Sequence, residues 1–262
     1  MKKKTLCFIP VYNQIKELPT VLKELKAANL PIDTILLVNN GSNDGSEKLV
    51  RSSGYPYLDL PQNRGIGYSF MKATEWAIKD GFDIFTVIAS NGKMLPAEMH
   101  RVVQPVAEGK ADYVTGSRFL QGGDSPNLPK FRKTSIPIVN KFVWILTGAR
   151  ITDATCGYKA YNLDIFKRAN FDWNAPWLET YGFEYYLYSK VIQDKQISWM
   201  EVPITMRYPQ KGQKYSKMKP FISWWHMLKP WIIGRLDGKG FSPHQDKLEQ
   251  AAAISGPNKT TC

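Results

Sequence analysis

Residues 34–46 read TILLVNNGSNDGS, an apolar run that breaks directly into a loop of Asn, Gly, Ser and Asp. So short and so apolar a run is a strand buried on both faces, the kind a parallel sheet carries. Asp44 is placed to cap a helix running to about Arg51. The same unit of strand, polar loop and helix recurs on either side. Residues 6–9 form an apolar strand ending at Pro10, and Leu18, Val21, Leu22 and Leu25 give residues 17–28 a helical spacing. Further on, residues 55–60 are extended and 67–79 helical. Residues 84–88 are a strand, Pro96 opens a helix to about residue 108, and 113–115 are again a strand. This alternation predicts an α/β fold: a mostly parallel central sheet with helices on both faces.

In such sheets ligands bind beyond the carboxyl ends of the strands. The loops there are PVYN (10–13), NNGSNDGS (39–46), NRGIG (63–67) and ASNGK (89–93), all rich in Asn, Gly and Ser. One such loop is an ordinary turn; four in succession point to a polar ligand. The second half is less regular. A helix is expected around 142–146, a strand at 159–161, an aromatic-rich helix at 182–192, and an edge strand at 198–205 interrupted by Pro203.

The 262 residues carry 35 Lys and Arg against 23 Asp and Glu, a net charge of +12, which points to an anionic partner. Residues 125–152 hold five basic residues and no acid, and residues 207–240 hold eight against Asp237 alone. A nucleic-acid-binding protein would spread basic stripes over its folding core, so nucleic acid is not the expected partner; phosphate groups or an acidic membrane face are. Cys7, Cys156 and Cys262 lie far apart, with neither metal-type spacing nor an even count, so no disulfide framework is expected and a reducing cytosol is the default. No stretch reaches the roughly 18 apolar residues of a spanning helix.

Seven segments in order carry a resemblance. They are IPVYN (9–13); VNNGSNDGS (38–46); NRGIG (63–67); GSRFLQGG (116–123); FRKTS (131–135); DATCGYKAY (153–161); and EVPITMRYPQKGQKYSK (201–217). Together they resemble the family 2 glycosyltransferases of GT-A fold, and among them the dolichol- and polyprenyl-phosphate sugar synthases. The resemblance implies a GT-A domain over residues 1–216. It implies inverting transfer of a sugar from a nucleotide-sugar donor to a lipid-linked phosphate acceptor. It also implies donor binding through Pro10, Tyr12, Asn39, Asn40, Arg64, Gly65, Gly67, Ser90, Asn91 and Lys93, the two glycines admitting a pyrophosphate. Arg118, Arg132 and Ser135 match the positions that hold the acceptor phosphate, where planar guanidinium groups suit a monoester. An ionised phosphate acceptor needs no general base; a sugar hydroxyl would, with Glu184 or Asp153 as candidates.

Two departures stand out. The family's acidic pair is Asn39-Asn40 here, and its Asp-X-Asp, whose carboxylates hold Mg2+ or Mn2+ against the donor diphosphate, is Ala89-Ser90-Asn91. Three readings stay open: a metal held weakly through Asn91 and the donor, a metal-free transfer with Lys93, Arg64 or another cation carrying the charge, or a catalytically silent nucleotide- or lipid-phosphate-binding scaffold. Transfer to a sugar hydroxyl in cell-surface polysaccharide is a further alternative. Trp224, Trp225 and Trp231 among Lys217, Lys219, Lys229 and Arg235 make residues 217–240 an expected amphipathic segment facing an anionic membrane surface. Packing of those aromatics on the catalytic domain or a dimer partner is the other reading. Residues 241–262 are expected to form a flexible tail. The expected location is cytoplasmic, peripheral at the inner face of the membrane, with oligomeric state left open.

Overall fold

The computed structural model describes residues 2–168, 171, 173, 175–209 and 222–236. The chain alternates β1 (Thr5–Val11), α1 (Leu18–Ala27), β2 (Thr34–Asn40), α2 (Ser46–Ser52), β3 (Tyr57–Leu60), α3 (Ile66–Lys79) and β4 (Ile84–Val87). There follow α4 (Met99–Ala107), β5 (Tyr113–Ser117), α5 (Lys130–Thr147), β6 (Lys159–Asn162), α6 (Ile165–Arg168), α7 (Gly182–Gln193), β7 (Trp199–Pro203) and α8 (Ile222–Leu236). The seven strands lie in the order β3-β2-β1-β4-β6-β5-β7. Only β6 runs against its neighbours, antiparallel to both β4 and β5. The mostly parallel α/β sheet expected from the sequence is therefore present, with β7 at its edge.

Alternation along the strands divides the core between the two faces of the sheet. Leu6 and Phe8 of β1, with Leu36 and Val38 of β2, pack under α3, α5, α7 and α8. Cys7 and Ile9, with Ile35 and Leu37, face the other way, against α1, α2 and α4. The first face is dominated by aromatics: Phe70 stacks on Phe183 at 5.5 Å between ring centroids, and Tyr113 lies between Tyr161 and Tyr188 at 5.8 and 5.2 Å. The connections leave β1 toward β2 on one side and return to β4 on the other. The carboxyl ends of β1, β2 and β4 thus open on a crevice at the point where the strand order reverses.

Two elements differ from expectation. The helix expected around 142–146 is α5, which runs from Lys130 through Pro137 to Thr147 and carries its exposed face on the outside of the molecule. The expected membrane-facing segment is different again. Its described part, α8, packs along α7, with Trp231 fully buried against Tyr188 and Tyr185, and Lys229 lies over the Trp177 ring at 5.7 Å. The reading in which its aromatics pack on the catalytic domain holds for Trp231, because α7 offers it a Tyr-lined seat; Trp225 is exposed. The segment at 217–221, the side chain of Trp224, Cys262 and the expected tail at 241–262 lie outside the described residues. Among the described residues no helix is long and apolar enough to cross a membrane.

Candidate active site

The first two strand-end loops are stitched to each other. The Asn13 amide donates to Ser42 Oγ (3.1 Å), Asn43 N–H to Asn13 Oδ1 (2.9 Å), Gln14 N–H to Ser46 Oγ (2.8 Å) and Ile15 N–H to Asp44 Oδ2 (3.1 Å). Asn13 takes the left-handed φ of 50° that Asn tolerates, which turns the PVYN loop toward its neighbour. Burial alone would raise the Asp44 carboxyl, but the hydroxyl and amide of Ser46 and the amide of Ile15 hold it below the ordinary carboxylate range. Asp44 accepts the Ser46 amide at 3.0 Å, but it lies one residue ahead of the N-cap of α2, which is Gly45 at a left-handed φ of 98°.

Beside these loops is a groove of about 370 Å³ lined by Asn39, Ser42, Glu47, Arg51, Asp59 and Pro61. Asn39 donates through Nδ2 to Asp59 Oδ1 (2.9 Å) and accepts from Ser42 N–H (3.1 Å). Asn40 donates to Asn63 Oδ1 (3.1 Å) and the Gly65 carbonyl (3.0 Å) and accepts from Arg64 N–H (3.3 Å). A carboxylate at either position could not donate these bonds, and at 39 it would face a second carboxylate. The amides therefore suit this chain's own loops, and the groove acid that meets Asn39 is Asp59, held by Arg51 at 2.7 Å. Sequence reading missed Asp59; its signal was an acid on an otherwise apolar strand next to the groove loops.

The glycines of the NRGIG loop meet the chain's own backbone. A Cβ on Gly67 would lie 1.8 Å from the Leu178 carbonyl oxygen, and one on Gly65, at φ 102°, would lie 2.4 Å from that of Glu179. The Gly67 amide donates to the Thr180 carbonyl at 2.7 Å. These glycines admit the backbone of 178–180, where a pyrophosphate had been expected. Arg64 is likewise engaged, paired with Glu179 and stacked over Tyr68 with its guanidinium 3.9 Å from the ring centre.

At the end of β4, Ser90 Oγ donates to the Pro10 carbonyl (2.5 Å), which ties this strand end to that of β1. Asn91 Oδ1 accepts the Lys93 amide (3.2 Å), and Ala89 contributes a methyl group. A hard divalent ion requires several oxygen ligands, some of them anionic. Among the described residues no group of three or more His, Cys, Asp or Glu side chains could hold one. A methyl, a neutral hydroxyl and one neutral amide, with no carboxylate among them, do not fit Mg2+ or Mn2+.

A cationic cluster stands immediately beyond. The Arg207 amide donates to the Lys93 carbonyl (2.8 Å), Met94 and Met206 bridge in antiparallel fashion, and Arg207 pairs with Glu24 of α1 at 2.7 Å. This anchorage sets the Tyr208 ring between two elements. Lys93 Nζ lies 5.6 Å from the ring centre and the Arg132 guanidinium, on the first turn of α5, 5.9 Å from it, while Arg118 donates to the phenol oxygen. Burial, then Arg132 and Arg118, push the Lys93 ammonium down to about 8.

Arg118 differs from its neighbours. Its side chain is 1% exposed and grips the fully buried Asp153 through Nε to Oδ2 and Nη2 to Oδ1, both at 2.6 Å, with Nη2 also reaching Thr155 Oγ1 at 2.6 Å. Burial opposes its charge, but the Asp153 carboxylate outweighs that and raises its affinity for the proton. Two expectations change together. Arg118 is a buried ion pair whose donors point inward, and Asp153, occupied by it, is not disposed to act as a base. Glu201, which sequence reading passed over, accepts the amides of Thr152 and Asp153 at 2.8 and 3.0 Å and so fixes the loop that presents this aspartate.

Arg132 and Ser135 lie one helical turn apart on α5, and the buried Ser135 hydroxyl has no hydrogen-bond partner among the described residues. Glu184, in the first turn of α7, sits 3.7 Å from the buried Lys159 ammonium. Burial raises its carboxyl above the ordinary range and Lys159 partly offsets this. The structure thus brings Lys93, Arg118 and Arg132 around one ring. It keeps Pro10, Tyr12, Asn39, Asn40, Ser90 and Asn91 in the stitched strand-end loops, and it turns Arg64, Gly65 and Gly67 toward residues 178–180.

Comparison with known proteins gives this geometry a family. The chain is 29% identical over 221 residues to an undecaprenyl-phosphate mannosyltransferase of Micrococcus luteus, covering 82% of this chain and 87% of the relative. It is 28% identical over 242 residues to a polyprenol monophosphomannose synthase of Mycolicibacterium smegmatis, covering 90% and 89%. In fold it is similar to glucosyl-3-phosphoglycerate synthase of Mycobacterium tuberculosis solved with Mn2+, UDP and phosphoglyceric acid, with a TM-score of 0.64 at 16% identity over 92% of this chain and 80% of that one. The glycosyl transferase family 2 model matches residues 7–169, from the start of β1 to just past α6, so the chain belongs to glycosyl transferase family 2.

Proposed function

We propose that the protein transfers a sugar from a nucleotide-sugar to a polyprenyl phosphate, with inversion at the anomeric carbon. The observation that carries this reading is the pair Arg132 and Ser135. A guanidinium and an unpartnered buried hydroxyl share one side of the first turns of α5, beside the crevice at the strand ends. A phosphate monoester is the anion such a pair accepts. The relatives named for polyprenyl and undecaprenyl phosphates support the same acceptor. In the reaction, an acceptor phosphate oxygen attacks C1 of the sugar and the bond from C1 to the donor's β-phosphate oxygen breaks. The electron pair leaves on the nucleoside diphosphate and no proton moves. The chain's contribution is alignment and stabilisation of charge. The groove at Asn39, Ser42 and Asp59 would take the base and ribose, Arg118 would position Tyr208 and the 153–155 loop, and Glu184 would serve the site as an ion-paired wall.

The same helix offers a way to meet a lipid-tailed acceptor. On its outward side α5 exposes Phe131, Trp144, and Ile138 and Ile145, the last two each 68% accessible. Lys130, Lys133, Lys141 and Arg150 fringe this face, within a segment that has no acid. Exposed indole and aliphatic groups ringed by cations match an anionic bilayer surface, where each nearby cation contributes about 1 kcal/mol. The membrane role expected of 217–240 is therefore proposed for α5. Replacing both Ile138 and Ile145 by Glu should cut co-sedimentation with phosphatidylglycerol-containing vesicles by about tenfold or more. It should leave turnover of a short, water-soluble prenyl phosphate unchanged; equal sedimentation would remove α5 from this role.

The reading as a whole is tested by incubating the protein with labelled nucleotide-sugars and polyprenyl phosphate. Label should pass into the organic phase with at least one donor. Its absence with every donor, alongside intact nucleotide binding, would favour a silent scaffold.

A further inference from the structure

We propose that Lys93 takes the place of the divalent ion, so that this chain neutralises the donor diphosphate with its own ammonium and binds it without metal. The inference rests on the nucleotide-sugar reading above. It starts from the contrast between a structural neighbour solved with Mn2+ and the donor set at 89–91. There, Ala89 has no side-chain ligand atom, and Ser90 and Asn91 offer only neutral oxygens where a hard dication wants carboxylates. The position is filled by a tethered cation. Lys93 is held by its amide to Asn91 and by its carbonyl to Arg207, so the root of its side chain is fixed at the mouth of the β4 loop.

Its surroundings are those of an anion site. Lys93 and Arg132 both lie near the Tyr208 ring, and Arg118, paired with Asp153, donates to its phenol oxygen. Cationic groups gathered around one ring favour the entry of an anion such as a diphosphate. The two cations also come from different elements, Lys93 from the donor-side loop after β4 and Arg132 from α5. The first can meet the leaving diphosphate while the second meets the incoming monoester. A nearby ammonium stabilises the charge that builds on the departing β-phosphate oxygen, the service a metal otherwise gives.

The test is calorimetric titration of UDP and of GDP into the full chain, once in EDTA and once in Mn2+. The preferred nucleotide should bind equally well in both, within about threefold, and Lys93→Ala should weaken its binding in EDTA by about tenfold or more. Lys93→Arg should retain binding, and the parent nucleoside should bind Lys93→Ala as it binds the unaltered chain, which shows that the fold and base groove are intact. Binding that requires Mn2+ in the unaltered chain, or a Lys93→Ala protein that binds the diphosphate undiminished, overturns the role of Lys93 and leaves the transferase reading standing. Failure of both nucleotides to bind in either condition overturns the nucleotide-sugar reading and this inference with it.

Discussion

Arg132→Ala should cost roughly 10²–10³-fold in transfer to a polyprenyl phosphate, the penalty of removing one aimed charge donor from a developing transition state. The melting temperature should hardly move. Arg132 sits on the first turn of α5, partly exposed, with its guanidinium facing the Tyr208 ring. Steady-state kinetics separates the effects: KM for the lipid phosphate should rise while nucleotide affinity stays. Arg132→Lys should recover only part of the loss, since a point charge replaces a planar fork on a tetrahedral phosphate. Wild-type turnover from Arg132→Ala would remove the acceptor site from α5. Ser135→Ala should be milder, because it removes a hydroxyl that has no hydrogen-bond partner among the described residues.

The second large effect falls on stability. Arg118→Ala leaves the Asp153 carboxylate buried, fully inaccessible and without its bidentate partner. Breaking a buried pair from one side costs about 3–5 kcal/mol, which in a domain of this size lowers the melting temperature by on the order of 10 °C. Asp153→Asn should fall in the same range, and the double substitution should cost far less than the two added together, since removing one charge already removes the other's reason to be there. Thermal denaturation of the four proteins measures this coupling. Additive losses would mean that the pair contributes nothing jointly. Both single variants should also lose activity, through displacement of Tyr208 and of the loop that Glu201 holds.

These contrasting expectations for two arginines in neighbouring motifs mark the limit of what was legible from sequence. Strand and loop patterns are local, so β1, β2 and β4, their order along the chain and the crevice at their ends could be read from runs such as TILLV and the polar residues after them. Arg118 and Arg132 look alike in sequence, each next to a Phe in a short basic motif. What separates them is a contact across 35 residues with Asp153 and one across 90 with Tyr208, and no local pattern encodes either. The same holds for Gly65 and Gly67. A glycine-rich loop after a strand signals close approach by something, but not whether the partner is a phosphate or the backbone at 178–180. For α8 the composition left two destinations open, and Trp231 took the one on the catalytic domain, in a seat on α7 that no local pattern shows. Asp59 shows the reverse error, a groove acid unnoticed because the acidic pair had been sought at 39 and 40.

The sharpest measurement is phosphorus NMR of the lipid product formed from unlabelled donor and polyprenyl phosphate. The monoester resonance should be replaced by that of a phosphodiester in proportion to nucleotide released, because the new bond joins C1 of the sugar to the acceptor's phosphate. A monoester signal that persists while sugar is consumed would put the sugar on a hydroxyl, and the Arg132 and Ser135 site would then have no part in the reaction.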